Sequence, residues 1–285
     1  MKTKHVLKGL AAALLALVIL LGIYVGYNVW VNQHFITTFY TLSTDKPVSD
    51  LRIVELSDLH LHEYGEHNAE LVQKIRNLSP DLITVAGDMN IDDNTDYSVV
   101  LDLMKQLVEI APVYYAPGNH EWAARYALGS DHIDTDIAAT GVHWLSGSYE
   151  DVTINGNALR IGGFFEWPRD TLEREISKQV ADAMDGASND LSNRYTVLIC
   201  HCPEVLATSL QDYQFDLVLS GHAHGGQIRI GSHGLYSTSQ GFLPKYTSGV
   251  QLIGSSTVVI SRGLGDSEPI PRINNQPELV VVDIN

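Results

Sequence analysis

The chain has 285 residues and is acidic, with 18 Lys and Arg against 34 Asp and Glu, which gives a formal net charge of -16. This length allows one large domain with an appendage, and a hydrophobic content of 45% is enough for a substantial core. The acidity argues against nucleic acid as the main partner, because duplex binding needs a basic face. An anionic substrate would therefore have to be attracted by local cations.

An uncharged apolar segment at residues 9–31 follows the short amino-terminal tail. About 20 apolar residues suffice to cross the hydrocarbon core of a bilayer. Tyr24, Tyr27 and Trp30 lie at the distal end of the segment, as interfacial aromatic residues do. We therefore expect a transmembrane anchor, with a cleaved signal peptide as the alternative interpretation.

The flanking charges predict the orientation of this anchor. Lys2, Lys4 and Lys8 precede it, so the positive-inside rule places the amino terminus in the cytoplasm and the rest of a single-pass membrane protein outside. The predicted organisation is a cytoplasmic tail at residues 1–8, the anchor at 9–31, a polar Thr-rich stalk at 32–49 and a folded domain at 50–285.

From residue 51 onward the pattern alternates between apolar strands and amphipathic helices. The predicted elements are strands at 53–58, 82–88 and 113–116, with helices at 68–77 and 97–110 between them. This order implies a parallel sheet with helices on its faces. Later β runs are predicted at 152–154, 157–165, 228–230, 258–261 and 279–282, around one longer helix at 171–184. The pattern therefore indicates two packed sheets with outer helices.

Five short polar blocks directly follow apolar runs. They are Asp58-Leu59-His60, Gly87-Asp88, Gly118-Asn119-His120-Glu121, His201 and Gly221-His222-Ala223-His224. Because α/β sheets bind ligands at the carboxyl ends of their strands, we expect these blocks to meet in one polynuclear metal centre. Paired cations of this kind promote the hydrolysis of phosphate esters. Mixed imidazole and carboxylate donors suit Mn²⁺, Fe or Zn²⁺ better than Ca²⁺.

The spacing within the blocks suggests which side chains share a cation. Asp58 and His60 are two residues apart, so they would leave the same side of an extended strand end. His222 and His224 have the same spacing. His120 follows an amide ligand and points in another direction, which favours a role on the substrate.

The two cysteines, Cys200 and Cys202, flank His201. Residues at this spacing on a strand are too far apart for easy bridging, so we expect no intrachain disulfide. A lone C-x-C is a weak metal signal. We expect two buried small residues, with thiolate ligation as the alternative.

The ordered set D-x-H, GD, GNH[ED], H and GHxH resembles the calcineurin-like metallophosphoesterase superfamily from about residue 51 to the carboxyl terminus. The stretch 221–230 (GHAHGGQIRI), with 244–249, 261–265 and 274–281, is similar to the bacterial membrane-anchored branch, which includes relatives of UDP-diacylglucosamine pyrophosphatase. The resemblance implies an α/β fold, a four-layer α/β/β/α sandwich around a dinuclear centre. Residues 50–285 would then be a metallophosphoesterase domain.

The resemblance also implies a role for each position of the motifs. One cation would be held by Asp58, His60 and His224, the second by Asn119, His201 and His222, with Asp88 bridging the two. His120 would be the catalytic residue, donating a proton to the leaving oxygen or stabilising the charged transition state.

One position departs from the family pattern. The family often has an aspartate three residues after the bridging one, where it orients the catalytic histidine, and this chain has Ile91 there. Asn90, Asp92 or Asp93 could substitute for it, although a shift of one residue changes the face on which the side chain lies.

The sequence therefore predicts a metal-dependent phosphoesterase that hydrolyses a phosphodiester, pyrophosphate or phospholipid-type substrate at the cell envelope, with two divalent ions (Mn, Fe or Zn). Its expected partners are a phosphorylated small molecule or lipid, and the membrane through the amino-terminal helix, with no nucleic acid. The alternative is a non-catalytic protein that uses its metal pair to bind an anionic cell-wall polymer. Intact His120 and Glu121 argue against this alternative, whereas Ile91 favours it.

Overall fold

A computed structural model describes residues 2–92, 94, 96–129, 132–164, 171–187, 191–267 and 270–285. Its α-helices are α1 (Lys2–Asn32), α2 (Ala69–Leu78), α3 (Ser98–Leu107), α4 (Asn119–Leu128), α5 (His132–Ala138) and α6 (Thr171–Met184). In α2, the apolar residues Leu71, Ile75 and Leu78 recur at helical spacing and are buried. The other face of α2 is polar, so this helix covers the core with one side only.

The strands form two larger sheets and two small hairpins. In chain order they are β1 (Ile36–Leu42), β2 (Leu51–Leu56), β3 (Leu82–Ala86), β4 (Val113–Ala116), β5 (His143–Trp144), β6 (Ser148–Ile154), β7 (Asn157–Gly163), β8 (Tyr195–Ile199), β9 (Leu217–Ser220), β10 (Arg229–Ile230), β11 (His233–Gly234), β12 (Tyr236–Ser237), β13 (Gly241–Phe242), β14 (Gly249–Ile253), β15 (Ser256–Ile260) and β16 (Glu278–Ile284).

Both larger sheets are mixed. The first has the order β1-β16-β2-β3-β4-β5, in which β2 to β5 are parallel and β16 is antiparallel to β2. The second has the order β14-β15-β9-β8-β7-β6, with a parallel centre and antiparallel strands at both edges. The pairs β10–β11 and β12–β13 form separate small hairpins.

Three apolar clusters hold these elements together. The first packs α2, α3 and α5 against the first sheet, and includes Leu71. The second lies between the two sheets, where Ile53 of β2 and Leu219 of β9 are both buried. The third packs α6 against the second sheet, and includes Met184. The protein is therefore an α/β fold whose two sheets share one apolar interface.

The predicted order of strands and helices from β2 to β4 is confirmed, as is the helix at Thr171–Met184. The stalk predicted at 32–49 differs from the structure, because Ile36–Leu42 forms β1 and pairs in parallel with β16. This edge strand is only partly buried, so its apolar signal is weak. The helices α4 and α5 were not predicted, and the predicted strand 157–165 ends at Gly163.

The amino-terminal helix contacts the domain only at its last turns. Over His5–Asn32, α1 is long and apolar enough to cross a membrane, and its large apolar side chains before Val31 are exposed. Near its end, Asn28 Oδ1 accepts a hydrogen bond from the backbone N–H of Asn274, and Asn32 Nδ2 donates to the carbonyl of Arg272. The end of α1 is thus bonded to the loop that precedes β16.

Candidate metal centre

The structure brings the five polar blocks to the carboxyl ends of strands from both sheets. Asp58 follows β2, and Asp88 follows β3, each by two residues. Asn119 is the first residue of α4, shortly after β4. His201 follows β8 and His222 follows β9, again by two residues. Since the strand ends of the two sheets meet here, residues from all five blocks contribute to one site.

Asp58, His60 and His224 form one candidate metal cluster. Their potential ligand atoms all lie within 4.8 Å of one another, and all three side chains are buried. The two imidazole Nε2 atoms, of His60 and His224, are 3.0 Å apart. His224 Nε2 is 3.4 Å from Asp58 Oδ1. The three residues that the resemblance assigned to one cation therefore lie together.

His201 and His222 form the neighbouring cluster. His222 Nδ1 lies 3.2 Å from His201 Nε2, which is itself 2.9 Å from Asp88 Oδ2. Asp88 also groups with Asp58 and His201 within 4.8 Å, a position between the two clusters that suits a bridging ligand. Cys202, outside the predicted ligand set, is the third member of the cluster with His201 and His222.

Asn119 lies between two residues that approach Asp88. The backbone N–H of His120 donates to Asp88 Oδ1 at 2.8 Å, and a Cβ on Gly118 would be 2.3 Å from the same oxygen. The Oδ1 atom of Asn119 is buried and has no hydrogen-bond partner among the described residues. A buried amide oxygen without a donor is costly unless a ligand compensates it, so Asn119 fits a cation site.

The backbone is left-handed at candidate ligand positions in the first, second and fifth blocks. The ligand positions with positive φ are Asp58 (51°), His60 (47°), Asp88 (54°), His222 (71°) and His224 (44°). The alternation argument for Asp58 and His60 is therefore wrong, because β2 ends at Leu56 and neither residue is extended. Such strained conformations in residues other than glycine cluster at functional sites.

Two glycines allow the loops to approach each other closely. A Cβ on Gly87, whose φ is 72°, would lie 2.3 Å from the backbone nitrogen of Gly118. A Cβ on Gly221 would lie 2.3 Å from Asp58 Oδ2. Larger residues at either position would separate the loops, so these glycines hold ligands from different strands at short range.

Glu121 holds the loop that carries Asp88. Its buried carboxylate accepts hydrogen bonds from the backbone N–H groups of Asp88, Met89, Asn90 and Gly118 and from the Tyr115 hydroxyl, at 2.8–3.1 Å. Burial and the nearby charge of Asp88 raise the pKa of Glu121. The sequence motif contains this residue but does not indicate its role, which depends on contacts 31–33 residues away.

His120 lies at the edge of the centre and is paired with a carboxylate. Its Nδ1 is 2.6 Å from Asp92 Oδ1, and its Nε2 is 3.8 Å from Asp88 Oδ2. Its ring packs edge-on against His60, with the centroids 4.7 Å apart. Of the predicted substitutes for the missing aspartate, Asp92 therefore contacts His120, whereas Asp93 lies outside the described residues.

Further polar groups orient two of the imidazoles from behind. His201 Nδ1 is 2.6 Å from the carbonyl oxygen of Ala86, so this nitrogen is held away from the centre and Nε2, which lies 2.9 Å from Asp88 Oδ2, is the atom placed to act as a ligand. His224 Nδ1 is 3.5 Å from Asp266 Oδ1, and that carboxylate also accepts a hydrogen bond from Gln227 Nε2. Asp266 was not among the predicted residues, because no local motif marks it.

The electrostatics of the site favour neutral His60 and His222 and ionised Asp58 and Asp88. Burial and the proximity of His224 lower the pKa of His60 to about 3, and burial with His201 lowers the pKa of His222 to about 4. Burial alone would raise the pKa of Asp88, but His201 and His120 lower it well below its ordinary value. Asp58 shows the same balance, with a net lowering of its pKa. These are the protonation states that metal binding requires.

The residues present fit divalent ions. Imidazole nitrogens face one another at 3.0–3.2 Å, and the Asn119 oxygen has no donor within the described part of the chain. Nitrogen and oxygen donors in this mixture suit Mn, Fe or Zn. A thiol from Cys202 would add a softer ligand, and the two cysteines are buried and not joined by a disulfide.

Comparison with known proteins agrees with this geometry. Residues 51–226 match the sequence model of the calcineurin-like phosphoesterase family. The chain is 28% identical to the metallophosphoesterase YkuE of Bacillus subtilis, over 99% of this chain and 96% of that protein. It is 27% identical to a metallophosphoesterase of Aquifex aeolicus, over 86% of this chain and 90% of that protein.

Among solved structures, GAP50 of Plasmodium, described as the anchor in the inner membrane complex, aligns with a TM-score of 0.50 and 16% identity. The alignment covers 80% of this chain and 77% of GAP50, which shows a shared fold. A dimetal phosphatase from Danio rerio aligns with a TM-score of 0.44 and 12% identity, over 78% of this chain and 90% of that one. The chain belongs to the calcineurin-like phosphoesterase family and is a phosphoesterase hydrolase.

Proposed function

We propose that this protein is a membrane-tethered phosphoesterase that uses a dinuclear metal centre to hydrolyse a phosphodiester, pyrophosphate or phospholipid-type substrate at the cell envelope. The observation that carries the proposal is the convergence of buried imidazole and carboxylate groups from five strand ends within 4.8 Å clusters. Structural residues have no need for such a concentration of donors, because burying them without a ligand is unfavourable.

In this proposal the ligands divide as their positions suggest. Asp58, His60 and His224 would hold one ion, Asn119, His201 and His222 would hold the other, and Asp88 would bridge them. When bound, the ions supply an activated water and polarise the phosphoryl group. The family resemblance implies a four-layer α/β/β/α arrangement around this centre, and the apolar clusters on both faces of both sheets support it.

His120 would then be the catalytic residue. It lies beside the bridging carboxylate, and Asp92 Oδ1, 2.6 Å from Nδ1, is close enough to orient the ring, although the two atoms do not have hydrogen-bond geometry in the structure. An imidazole held in this way can transfer a proton to a leaving oxygen or stabilise developing negative charge. The contact with Asp92 also weakens the case for a non-catalytic binder of anionic wall polymer, which depended on the substitution at Ile91.

The tether in the proposal is α1, with the amino terminus in the cytoplasm and the domain outside. In the alternative, α1 is a signal peptide, and its cleavage would release the domain from the membrane. The hydrogen bonds from the Asn274 N–H to Asn28 and from Asn32 to the Arg272 carbonyl support an anchor, because they join the helix end to the folded domain. A membrane position favours a lipid or lipid-linked phosphate, and the resemblance to relatives of UDP-diacylglucosamine pyrophosphatase points to the same substrate class.

The test is hydrolysis of an aryl phosphodiester by the full chain with added Mn²⁺, together with elemental analysis of the purified protein. We expect Asp88→Ala to lose bound metal and to reduce turnover more than about 100-fold, since loss of even an outer partner of a ligand costs 10–100-fold. A matched control is Asp283→Ala, which removes a carboxylate paired with Arg52 on the same sheet. Full activity in Asp88→Ala would contradict the ligand assignment.

A further inference from the structure

Large apolar side chains are exposed on the two small hairpins. Ile230 at the end of β10 is 67% exposed, Phe242 at the end of β13 is 85% exposed, and Leu243 is 75% exposed. The hairpins are joined by backbone hydrogen bonds, from Leu243 to Leu235 and from Leu235 to Ile228. We call Ile230, Phe242 and Leu243 the hairpin face. Grouped exposed apolar residues mark interaction sites, whereas isolated ones do not.

The strand that carries Ile230, the first residue of the hairpin face, is connected to the last turns of α1. Asn274 connects the two, because its backbone N–H donates to Asn28 Oδ1 at 2.9 Å and its Nδ2 donates to the carbonyl of Arg229 at 3.4 Å. Arg229 directly precedes Ile230 in β10. A single residue therefore bonds both to the apolar helix and to the strand that carries the first residue of the hairpin face.

The position of Asn28 on α1 determines the depth of this contact relative to the membrane interface. Tyr27 and Trp30 lie on either side of Asn28, and aromatic residues at the end of an apolar span occupy the membrane interface. A helix rises about 1.5 Å per residue, so Asn28 lies within about 3 Å of both along the helix axis. If α1 spans a bilayer, the strand bonded through Asn274 lies at the depth of the headgroups.

We propose that the hairpin face inserts into the surface of the lipid bilayer beside α1 and forms a second membrane contact of the domain. This inference rests on the proposed function only in that α1 spans the membrane. Lys245, which is exposed two residues after Leu243, would meet anionic headgroups. The occupant proposed is lipid, because the strand that carries Ile230 is bonded through Asn274 to the end of α1, a helix long and apolar enough to cross a membrane.

The contact would hold the metal centre at the membrane surface. Leu235, to which Leu243 is bonded, also donates its N–H to the carbonyl of Gly226. Gly226 ends the short turn that begins at the ligand His224. Insertion of the hairpins would therefore fix the height of this ligand loop above the bilayer, and the substrates within reach would be phosphates carried by lipids.

The experiment places a spin label on the full chain in vesicles of phosphatidylglycerol and phosphatidylcholine. Leu243→Cys offers an exposed thiol, whereas the native Cys200 and Cys202 are buried and react poorly. The matched control is Leu252→Cys, because Leu252 is also 75% exposed. Leu252 pairs with Thr257, three residues before the end of β15, which sets it back by about 10 Å from the strand ends.

Collisions of the label with oxygen and with an aqueous nickel chelate are then measured by power saturation. We expect the label at 243 to collide severalfold more with oxygen and severalfold less with nickel than the label at 252. Equal nickel access at the two positions would overturn the proposal. Shielding of the label at 243 from both reagents, with dipolar broadening, would also overturn it and indicate a second copy of the chain. Neither readout needs turnover, so failure of the phosphoesterase assay would leave this result standing.

Discussion

The metal centre and the hairpin face depart from the usual distribution of residues in opposite ways. The centre buries carboxylates such as Asp58 and Asp88, whereas the face exposes Phe242 and Leu243. Both arrangements are unfavourable for an isolated domain, since buried charge loses its hydration and exposed apolar surface stays in contact with water. Folding normally buries apolar side chains and exposes charged ones. The comparison teaches that residues which depart from this distribution indicate what binds there. Cations would compensate the first departure and lipid the second.

The largest effect should come from the chemistry at the centre. We expect His120→Ala to retain both metals and to lower the turnover of an aryl phosphodiester by about 10²–10⁴-fold, the usual contribution of a general acid or base. Elemental analysis and steady-state rates on the same preparation measure the two properties separately. Loss of metal in His120→Ala would move this residue from the catalytic role to the ligand set.

Asp92→Asn is a milder substitution that tests whether Asp92 orients His120. It keeps the size of the side chain that lies 2.6 Å from His120 Nδ1 but removes its charge, so we expect a smaller loss of about 10–100-fold with unchanged metal content. An unchanged rate would mean that the contact does not orient His120.

The next effect concerns the stability of the metal-free protein as the pH falls. The pKa values of His60 and His222, about 3 and about 4, lie below the ordinary value of 6.5 that the unfolded chain has. Between the folded-state and unfolded-state pKa values the unfolded chain binds more protons than the folded protein, so stability is lost as the pH decreases. Lowering the pH from 7.5 to 5 should cost about 2 kcal/mol for each imidazole, measured by urea unfolding in EDTA.

A variant isolates this contribution from opposing groups. Burial raises the pKa of Glu55 and Glu121, so these two groups make the folded protein more stable as the pH falls. The double variant His60→Asn/His222→Asn keeps both glutamates, so their effect cancels when the two proteins are compared. The free energy of unfolding of the wild type minus that of the double variant should therefore decrease as the pH falls. A difference that stays constant between pH 7.5 and 5 would show that the two imidazoles are not held neutral.

The smallest effect is expected at the hairpin face. Replacing Phe242 and Leu243 with serine should change the free energy of unfolding in detergent by less than about 0.5 kcal/mol, because exposed side chains contribute little to the fold. Leu219→Ala, in the core between the sheets, should by contrast cost about 2–5 kcal/mol. A large loss on the serine substitutions would assign these residues to the folding core and not to a partner.

The residues of the candidate centre could be selected from the sequence because their blocks follow strongly apolar strands. Their convergence was also expected from the strand ends, but the backbone conformation that produces it could not be predicted. Asp58 and His60 meet through left-handed backbone, and residues other than glycine give no local signal of that conformation. The choice among the substitutes at Ile91 was also open, since Asp92 and His120 lie in a loop and in the first turn of α4, which only the tertiary structure brings together.

Elements at the edge of the domain were harder to predict than those in its centre. The strand Ile36–Leu42 pairs with Glu278–Ile284, more than 230 residues away, and its half-exposed pattern lacks the apolar run that marked β2 and β3. The hairpins are held by strands of two residues each, too short for a periodic signal. Their importance follows from the exposed side chains they present and not from their secondary structure.

The connection between α1 and β1 consists of residues 33–35 alone. Three residues extend at most about 11 Å, and the backbone N–H of Ile36 is already bonded to the carbonyl of Pro277. A tether of this length cannot act as a flexible leash. With α1 in a membrane, as proposed, the domain would stay at one short distance from its helix, so the substrates it meets would depend on lateral diffusion of the helix and not on motions of the domain.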